Sequence, residues 1–209
     1  MNATKEVRVF VEKHPIVKEC LAKGLINLSE LSRQIIEQSE LKQNDFDAVL
    51  VALRRLSEKL KPNKKSESTI ITLLQKSKLE IKTKVCSVVL EKSTPFSFLI
   101  KLIEEINDKQ EPVHLIQGSR SFTIVTSQEF LPKIEKMFAG RVIMKEKGLV
   151  QVVLRTPPKI ESTPGVVAYL YTLFAERGIN IVETMSSWTE TLIVIDEKNM
   201  ATVMEMLKF

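Results

Sequence analysis

The last two-thirds of this chain is one unit written twice, and that repeat limits what the chain can fold into more than any other feature. "STPFSFLIKLIEEIN" begins at Ser93 and "STPGVVAYLYTLFAERG" at Ser162, a displacement of 69 residues. "TIVTSQEFLPKIEKMF" from Thr123 and "LIVIDEKNMATVMEML" from Leu192 repeat it. A displacement held over ~45 residues marks a structural repeat rather than a shared motif.

Each copy carries the same order of patterns. An alternating apolar strand ("VCSVVLEK"; "LVQVVLRT") leads through a loop to a helix, followed by two strands and a second helix. The strand pairs are "PVHLIQG" with "SFTIVTS" and "INIVETM" with "TLIVIDE". Copy one, residues 78–148, continues into "RVIMKEKG" as a fourth strand. Copy two, residues 149–209, ends at Phe209 where a fourth strand should begin. In copy two Val167, Leu170, Tyr171 and Phe174 fall at i, i+3, i+4, i+7 and predict the buried face of the first helix. Two helices on one face of a small antiparallel sheet is a ferredoxin-like βαββαβ arrangement. The strand missing from copy two predicts an open edge, and with it dimerisation by sheet extension.

"TPGVVAYLYTLFAERGINIVET" then carries a resemblance. The Pro-Gly after strand one, the Leu-Phe-Ala-Glu-x-Gly helix end and the Gly-Ile-Asn-Ile step resemble ACT domains, regulatory modules of amino-acid metabolism, and among them those of aspartate kinases. Copy one shares the order of elements but not these letters, and the resemblance spans about residues 79–209. It implies a small-molecule effector, an amino acid, bound at this loop and often between two modules. The positions it points to are Ser162, Thr163, Gly165, Val166, Asn180 and Ile181. Thr163 stands where the family commonly has Asp or Asn.

Residue chemistry supports two readings of this loop. Gly165, lacking a Cβ, lets a ligand approach the backbone, and a helix N-terminus offers unpaired N–H groups to a carboxylate. Equally, Pro164 and Gly165 start a helix, Gly178 stops it, and Asn180 satisfies a turn, with no ligand at all. In copy one Phe96 replaces Gly165, which predicts a filled mouth and a packing role. The loop is longer in copy two, "VVLRTPPKIESTP" against "VVLEKSTP", as expected for a binding loop or for a rigid Pro157-Pro158 spacer.

Residues 1–60 are helical by pattern. Pro15 and Gly24 bracket one helix, Asn27 and Glu30 are spaced as a capping box, and Asn44 is the expected cap of "NDFDAVLVALRRLSEKL". Phe46, Val49, Leu50, Leu53, Leu56 and Leu60 face a core in that reading. "LSELSRQI" followed by an arginine-bearing helix resembles a helix-turn-helix. Arg54, Arg55 and Lys59 would then lie on the recognition helix, with Lys61, Lys64 and Lys65 reaching phosphates of DNA. The bland alternative is a solvated helix face followed by a linker and a short helix over residues 61–77. The order of a helical front and two such modules resembles archaeal ACT-domain proteins regarded as predicted regulators of amino-acid metabolism.

The fold class expected is therefore α+β: an N-terminal helical, helix-turn-helix-like domain followed by two ferredoxin-like, ACT-like modules. The net charge of +5 divides as +4 over residues 1–77, +3 over 78–148 and −2 over 149–209. This excess is compatible with DNA without requiring it. Cys20 and Cys86 read as free thiols in a reducing compartment. No carboxylate pair, Cys/His arrangement, metal-ligand spacing or Gly-rich phosphate loop repeats at a useful spacing, so neither catalysis nor a cofactor is expected. No stretch approaches the ~18 apolar residues of a membrane span. The charged start "MNATKEVRVFVEKHP" argues against a secretory signal, so a cytoplasmic homodimer is expected. Two functions remain: an amino-acid-responsive DNA-binding regulator, or a docking module that controls a biosynthetic enzyme through protein contact.

Overall fold

A computed structural model describes residues 2–60 and 64–209, the side chains of 64–67 excepted. The chain divides into two compact units, 1–65 and 66–209.

The first unit is helical: α1 (Ala3–Lys13), α2 (Pro15–Lys23), α3 (Leu28–Glu37), a 3-10 turn (Gln43–Asp45) and α4 (Phe46–Lys59). Gly24 ends α2 in the left-handed conformation (φ 69°) and the Asn27 side chain caps α3 by accepting from the Ser29 and Glu30 amides. Two expectations fail here. Glu30 does not close a capping box, because its carboxylate pairs with Arg33 at 2.6 Å. Asn44 does not cap α4, because the 3-10 turn intervenes and Asp45 takes the N-cap position. Val7, Val11, Leu21, Leu31, Ile35, Val49 and Leu53 form the core, with Phe46, Leu56 and Leu60 packed at its margin.

The second unit begins within α5 (Lys64–Gln75) and continues β1 (Lys78–Glu91), α6 (Phe96–Asp108), β2 (Val113–Gln117), β3 (Ser121–Ser127), α7 (Leu131–Met137), β4 (Val142–Arg155), α8 (Val166–Glu176), β5 (Glu183–Ser187), β6 (Glu190–Asp196) and α9 (Met200–Met206). The repeat is carried into the hydrogen bonding. His114 faces Val125 in β2/β3, and Glu183 faces Val194 in β5/β6, both positions displaced by 69. The second helices obey the same rule, each opened by a 3-10 turn, at 128–130 and 197–199.

All six strands form one antiparallel sheet in the order β2-β3-β1-β4-β6-β5. The module boundary expected at 148/149 is therefore not a break, since β4 runs through it as a single strand. Its first half is the fourth strand of copy one and its second half is the first strand of copy two. The same holds for β1. Val85–Glu91 pairs with β3, while Lys78–Lys82 pairs with β4 residues 151–155. The open edge expected in copy two is thus filled by the chain's own Lys78–Lys82. "KLEIK" has only two apolar residues, and its partner is distant in sequence, so the pairing leaves little local trace.

Where each long strand passes from one copy to the other the register shifts, and Lys84 (φ 57°) and Gly148 (φ 71°) adopt left-handed backbone there. One side of the sheet carries the helices. Cys86, Val88, Leu90 and Ile124 meet Leu99, Leu102, Ile106 and Ile134 in copy one. Val150, Val152, Leu154 and Ile193 meet Leu170, Phe174 and Val203 in copy two, where Ile70, Leu73 and Leu74 of α5 join them. The segment read as linker and short helix is therefore partly core. On the other side Val85 and Val125 of copy one form one buried cluster with Leu149, Val153, Leu192 and Val194 of copy two. The cluster is continuous across the shared strands, because Val85 pairs directly with Leu149. Each fully buried Leu, Ile or Val contributes roughly 1.5–3 kcal/mol through its loss of water contact.

Candidate functional site

The loop from β4 to α8 is built by local hydrogen bonds. Thr156 is anchored to the Thr189 carbonyl by its amide (2.8 Å) and its hydroxyl (2.9 Å). Pro157 then starts a 3-10 turn, Pro158–Ser162. The hydroxyl of Thr163 donates to the Lys159 carbonyl at 2.7 Å, and that of Ser162 to the same oxygen at 3.3 Å. Gly165 follows at φ 91°, a conformation costly for any residue with a Cβ, and N-caps α8 with no side-chain hydrogen bond. The first-turn amides of α8 therefore have no side-chain cap. Of the expected stripe Leu170 and Phe174 are buried and Val166 joins them, while Val167 and Tyr171 are partly exposed.

Gly165 is not an open mouth. A Cβ built on it would lie 3.4 Å from Cδ1 of Ile70, so α5 packs over this glycine. Beside that contact a cleft of about 320 Å³ lies between Thr72 and Lys76 of α5 and Pro157 and Lys159 of the loop. Lys76 and Lys159 give it cationic walls. Sequence reasoning missed the α5 residues, although Ile70, Leu73 and Leu74 at i, i+3, i+4 were a legible signal of a packed helix. In copy one Phe96 is half exposed and lies against Phe122, ring centroids 6.2 Å apart, consistent with a packing role.

Asn180 and Ile181 do not join this loop. They lead into β5, which is linked to β4 by a β-α-β crossover that puts the two ends of α8 at opposite ends of the half-sheet. An 11-residue helix spans ~16 Å, so Ser162–Val166 at one end and Asn180–Ile181 at the other cannot touch one small ligand. Asn180 is exposed, and Ile181 packs at the edge of the copy-two core.

Arg54, Arg55 and Lys59 are exposed on α4, as a nucleic-acid face requires. Lys61 lies outside the described residues, as do the side chains of Lys64 and Lys65. Cys20 and Cys86 are both free, and burial pushes the Cys86 thiol up to about 11, which leaves it inert at neutral pH. No group of His, Cys, Asp and Glu that could hold a metal ion occurs among the described residues. No helix among them is long and apolar enough to cross a membrane.

No family model and no curated protein matches the chain. Solved structures do. Aspartate kinase from Clostridium acetobutylicum superposes with a TM-score of 0.51 at 13% identity, over 62% of this chain and 33% of that one. The chain thus spans about a third of that enzyme's length. Aspartokinase alpha and beta subunits give 0.50 at 17% identity, over 62% and 93% of the two chains. The regulatory subunit of aspartate kinase from Thermus flavus gives 0.50 at 13%, over 62% and 94%. At these identities the likeness establishes a fold, the ACT-type fold of aspartate kinase regulatory regions, and nothing finer.

Proposed function

We propose that the chain is an amino-acid-responsive regulatory protein without chemistry of its own. The observation that carries this reading is the coincidence of a regulatory-subunit fold with a lysine-walled cleft beside the loop that leads into α8. The uncapped amides of Val166 and its neighbours, with Lys76 and Lys159, suit the carboxylate of a small effector, and the Ser162 and Thr163 hydroxyls lie on the adjoining turn. Asn180 and Ile181 serve the same effector only from a second copy. A homodimer joined along the unpaired edges at Val142–Lys147 or Lys78–Lys82 would supply one.

The exposed Arg54, Arg55 and Lys59 support DNA as the target, contacted through the first unit. Titration with the standard L-amino acids tests the sensing half. An effector at ~100 times its Kd should stabilise the protein by about 2.7 kcal/mol, and Lys159→Glu with Lys76→Glu should remove that gain. Failure of every amino acid to shift the melting curve rejects the reading. Salt-dependent DNA affinity that Arg54→Glu and Arg55→Glu abolish tests the output. A pull-down that recovers a biosynthetic enzyme, indifferent to those two changes, favours the docking alternative.

A further inference from the structure

Three connections close one end of the copy-one half-sheet: the loop 92–95 from β1 to α6, the turn 118–120 between β2 and β3, and the turn 138–141 from α7 to β4. Two hydrogen bonds tie them together. Lys92 Nζ donates to the Gly118 carbonyl at 2.8 Å, and Arg141 Nη1 to the Ser93 carbonyl at 2.7 Å. Lys92, Arg120 and Arg141 lie on these connections, and Lys101 on the second turn of α6. Glu91 is the one carboxylate among residues 91–101, 117–122 and 138–142. Four cations against one carboxylate amount to the whole +3 surplus of residues 78–148. Elsewhere in copy one Lys82, Lys133 and Lys145 are paired, with Glu111, Glu105 and Glu135. Among the described residues no ion pair involves the four cations at this end, and the bonds of Lys92 and Arg141 go to neutral carbonyls. Their charge is uncompensated.

The same end carries exposed aromatic surface. Of nine phenylalanines only Phe96 and Phe98 are exposed, at 50% and 46%. Lys101 Nζ lies 5.9 Å from the centre of the Phe98 ring. Lys92 Nζ lies 4.3 Å from that of Phe122, the ring against which Phe96 rests. Phenyl side chains left half in water forgo the stabilisation of burial. Nothing in α6 requires them, since its buried face is made by Leu99, Leu102 and Ile106.

The repeat supplies an internal control. Glu91 faces Ser121 in copy one as Arg155 faces Glu190 in copy two. Lys92 therefore stands where Thr156 stands, and Arg120 where Thr189 stands. Those two threonines close the copy-two end by hydrogen bonds between themselves. The fold thus needs no cation at either place, and the cations of copy one serve something outside it.

We propose that this end of copy one binds single-stranded nucleic acid, with Phe96 and Phe98 as stacking platforms for bases and Lys92, Lys101, Arg120 and Arg141 as phosphate contacts. A nucleotide joins a flat base to an anion a few ångströms away, and the cations here stand within that reach of the aromatic cluster. A carboxylate-rich peptide or an anionic bilayer answers the charge but does not call for flat rings beside it. Duplex DNA keeps its base faces in the stack and engages the cations alone. The surface is distinct from the loop at 162–166 and from Arg54 and Arg55, and stands whether or not either of those binds anything.

The test is fluorescence anisotropy of the full-length protein with labelled oligo(dT) and oligo(U) of about 15 nucleotides, the tighter of the two identifying DNA or RNA. Affinity should fall with salt along a log–log slope of about −3, as contact with four phosphates of a single strand requires. Lys101→Gln with Arg120→Gln should weaken binding by ~10-fold or more and halve that slope. Phe96→Ser with Phe98→Ser should weaken it by ~10-fold or more and leave the slope unchanged, because stacking releases no counterions. Amide-resonance mapping on the unaltered protein, with shifts expected at 92–101, 118–122 and 138–141, decides the matter where a variant misfolds. No binding of either oligomer at low salt overturns the proposal, as does binding that only Arg54→Glu and Arg55→Glu abolish. Equal affinity for a duplex, for polyglutamate or for phosphatidylglycerol vesicles, indifferent to the two phenylalanines, overturns it as well.

Discussion

Single residues mark where each long strand passes from one copy to the other. Lys84 and Gly148 occupy equivalent places in the two long strands, and both take left-handed backbone, one with a side chain and one without. Left-handed backbone costs a residue with a Cβ roughly 1–2 kcal/mol. Lys84→Gly should therefore stabilise the protein by up to about 1 kcal/mol, and Gly148→Ala should destabilise it by at least that much. Chemical denaturation of the two variants makes the comparison, and equal effects of the same sign would reject it. His114 and Glu183 form another equivalent pair. Burial lowers the His114 pKa from its ordinary 6.5, with Gln151 and Glu190 acting in the opposite direction. Burial, then Glu146, raises that of Glu183. The neutral His114 contribution is present above 6.5 and lost as pH falls through the lower folded-state value. The Glu183 contribution belongs to its protonated form, and it is lost as pH rises through the raised value. Between about pH 7 and about pH 5, His114→Gln should thus lose less stability than the unaltered protein. Glu183→Gln should be more stable than the unaltered protein at neutral pH. Parallel urea titrations across that range measure both.

At the scale of elements, α5 is the one whose role the sequence least revealed. "STIITLLQKSK" reads as a short connecting helix, yet Ile70, Leu73 and Leu74 are buried in the copy-two core. Leu74→Ala should cost about 2–5 kcal/mol, as deletion of a buried leucine does, and a change under 1 kcal/mol would show that α5 is only draped over the core. Most element types were legible, because each follows from a short-range period: β3 over Ser121–Ser127, α6 from Phe96, and the paired second helices. What escaped was placement. Asn180 and Thr163 belong to one short motif, but the helix between them sets them at opposite ends of the half-sheet.

Over the whole molecule, the repeat announced two modules but not their shared strands. Pairing of Lys78 with Arg155 is a non-local event with no period to reveal it. This sharing yields a sharp expectation for fragments. Residues 149–209 alone lack their fourth strand and should give the circular dichroism of an unfolded chain. Residues 66–209 should fold and unfold in one transition, followed equally by amide protection in both copies. Residues 1–60 have their own apolar core and should fold without the rest. A folded 149–209 fragment would mean that the edge supplied by Lys78–Lys82 is dispensable.

The strand shared between copies also sets a timetable for synthesis. Lys78 leaves the ribosome more than seventy residues ahead of its partner Arg155. Copy one can complete its own half-sheet once β4 begins to emerge. Copy two must wait for its own last helix and then close onto a strand that has been exposed throughout. The first residues of β1 are thus an interval of vulnerability in translation, and "KLEIKTK" is well suited to it, because lysines and a glutamate keep a waiting edge from pairing with the wrong neighbour.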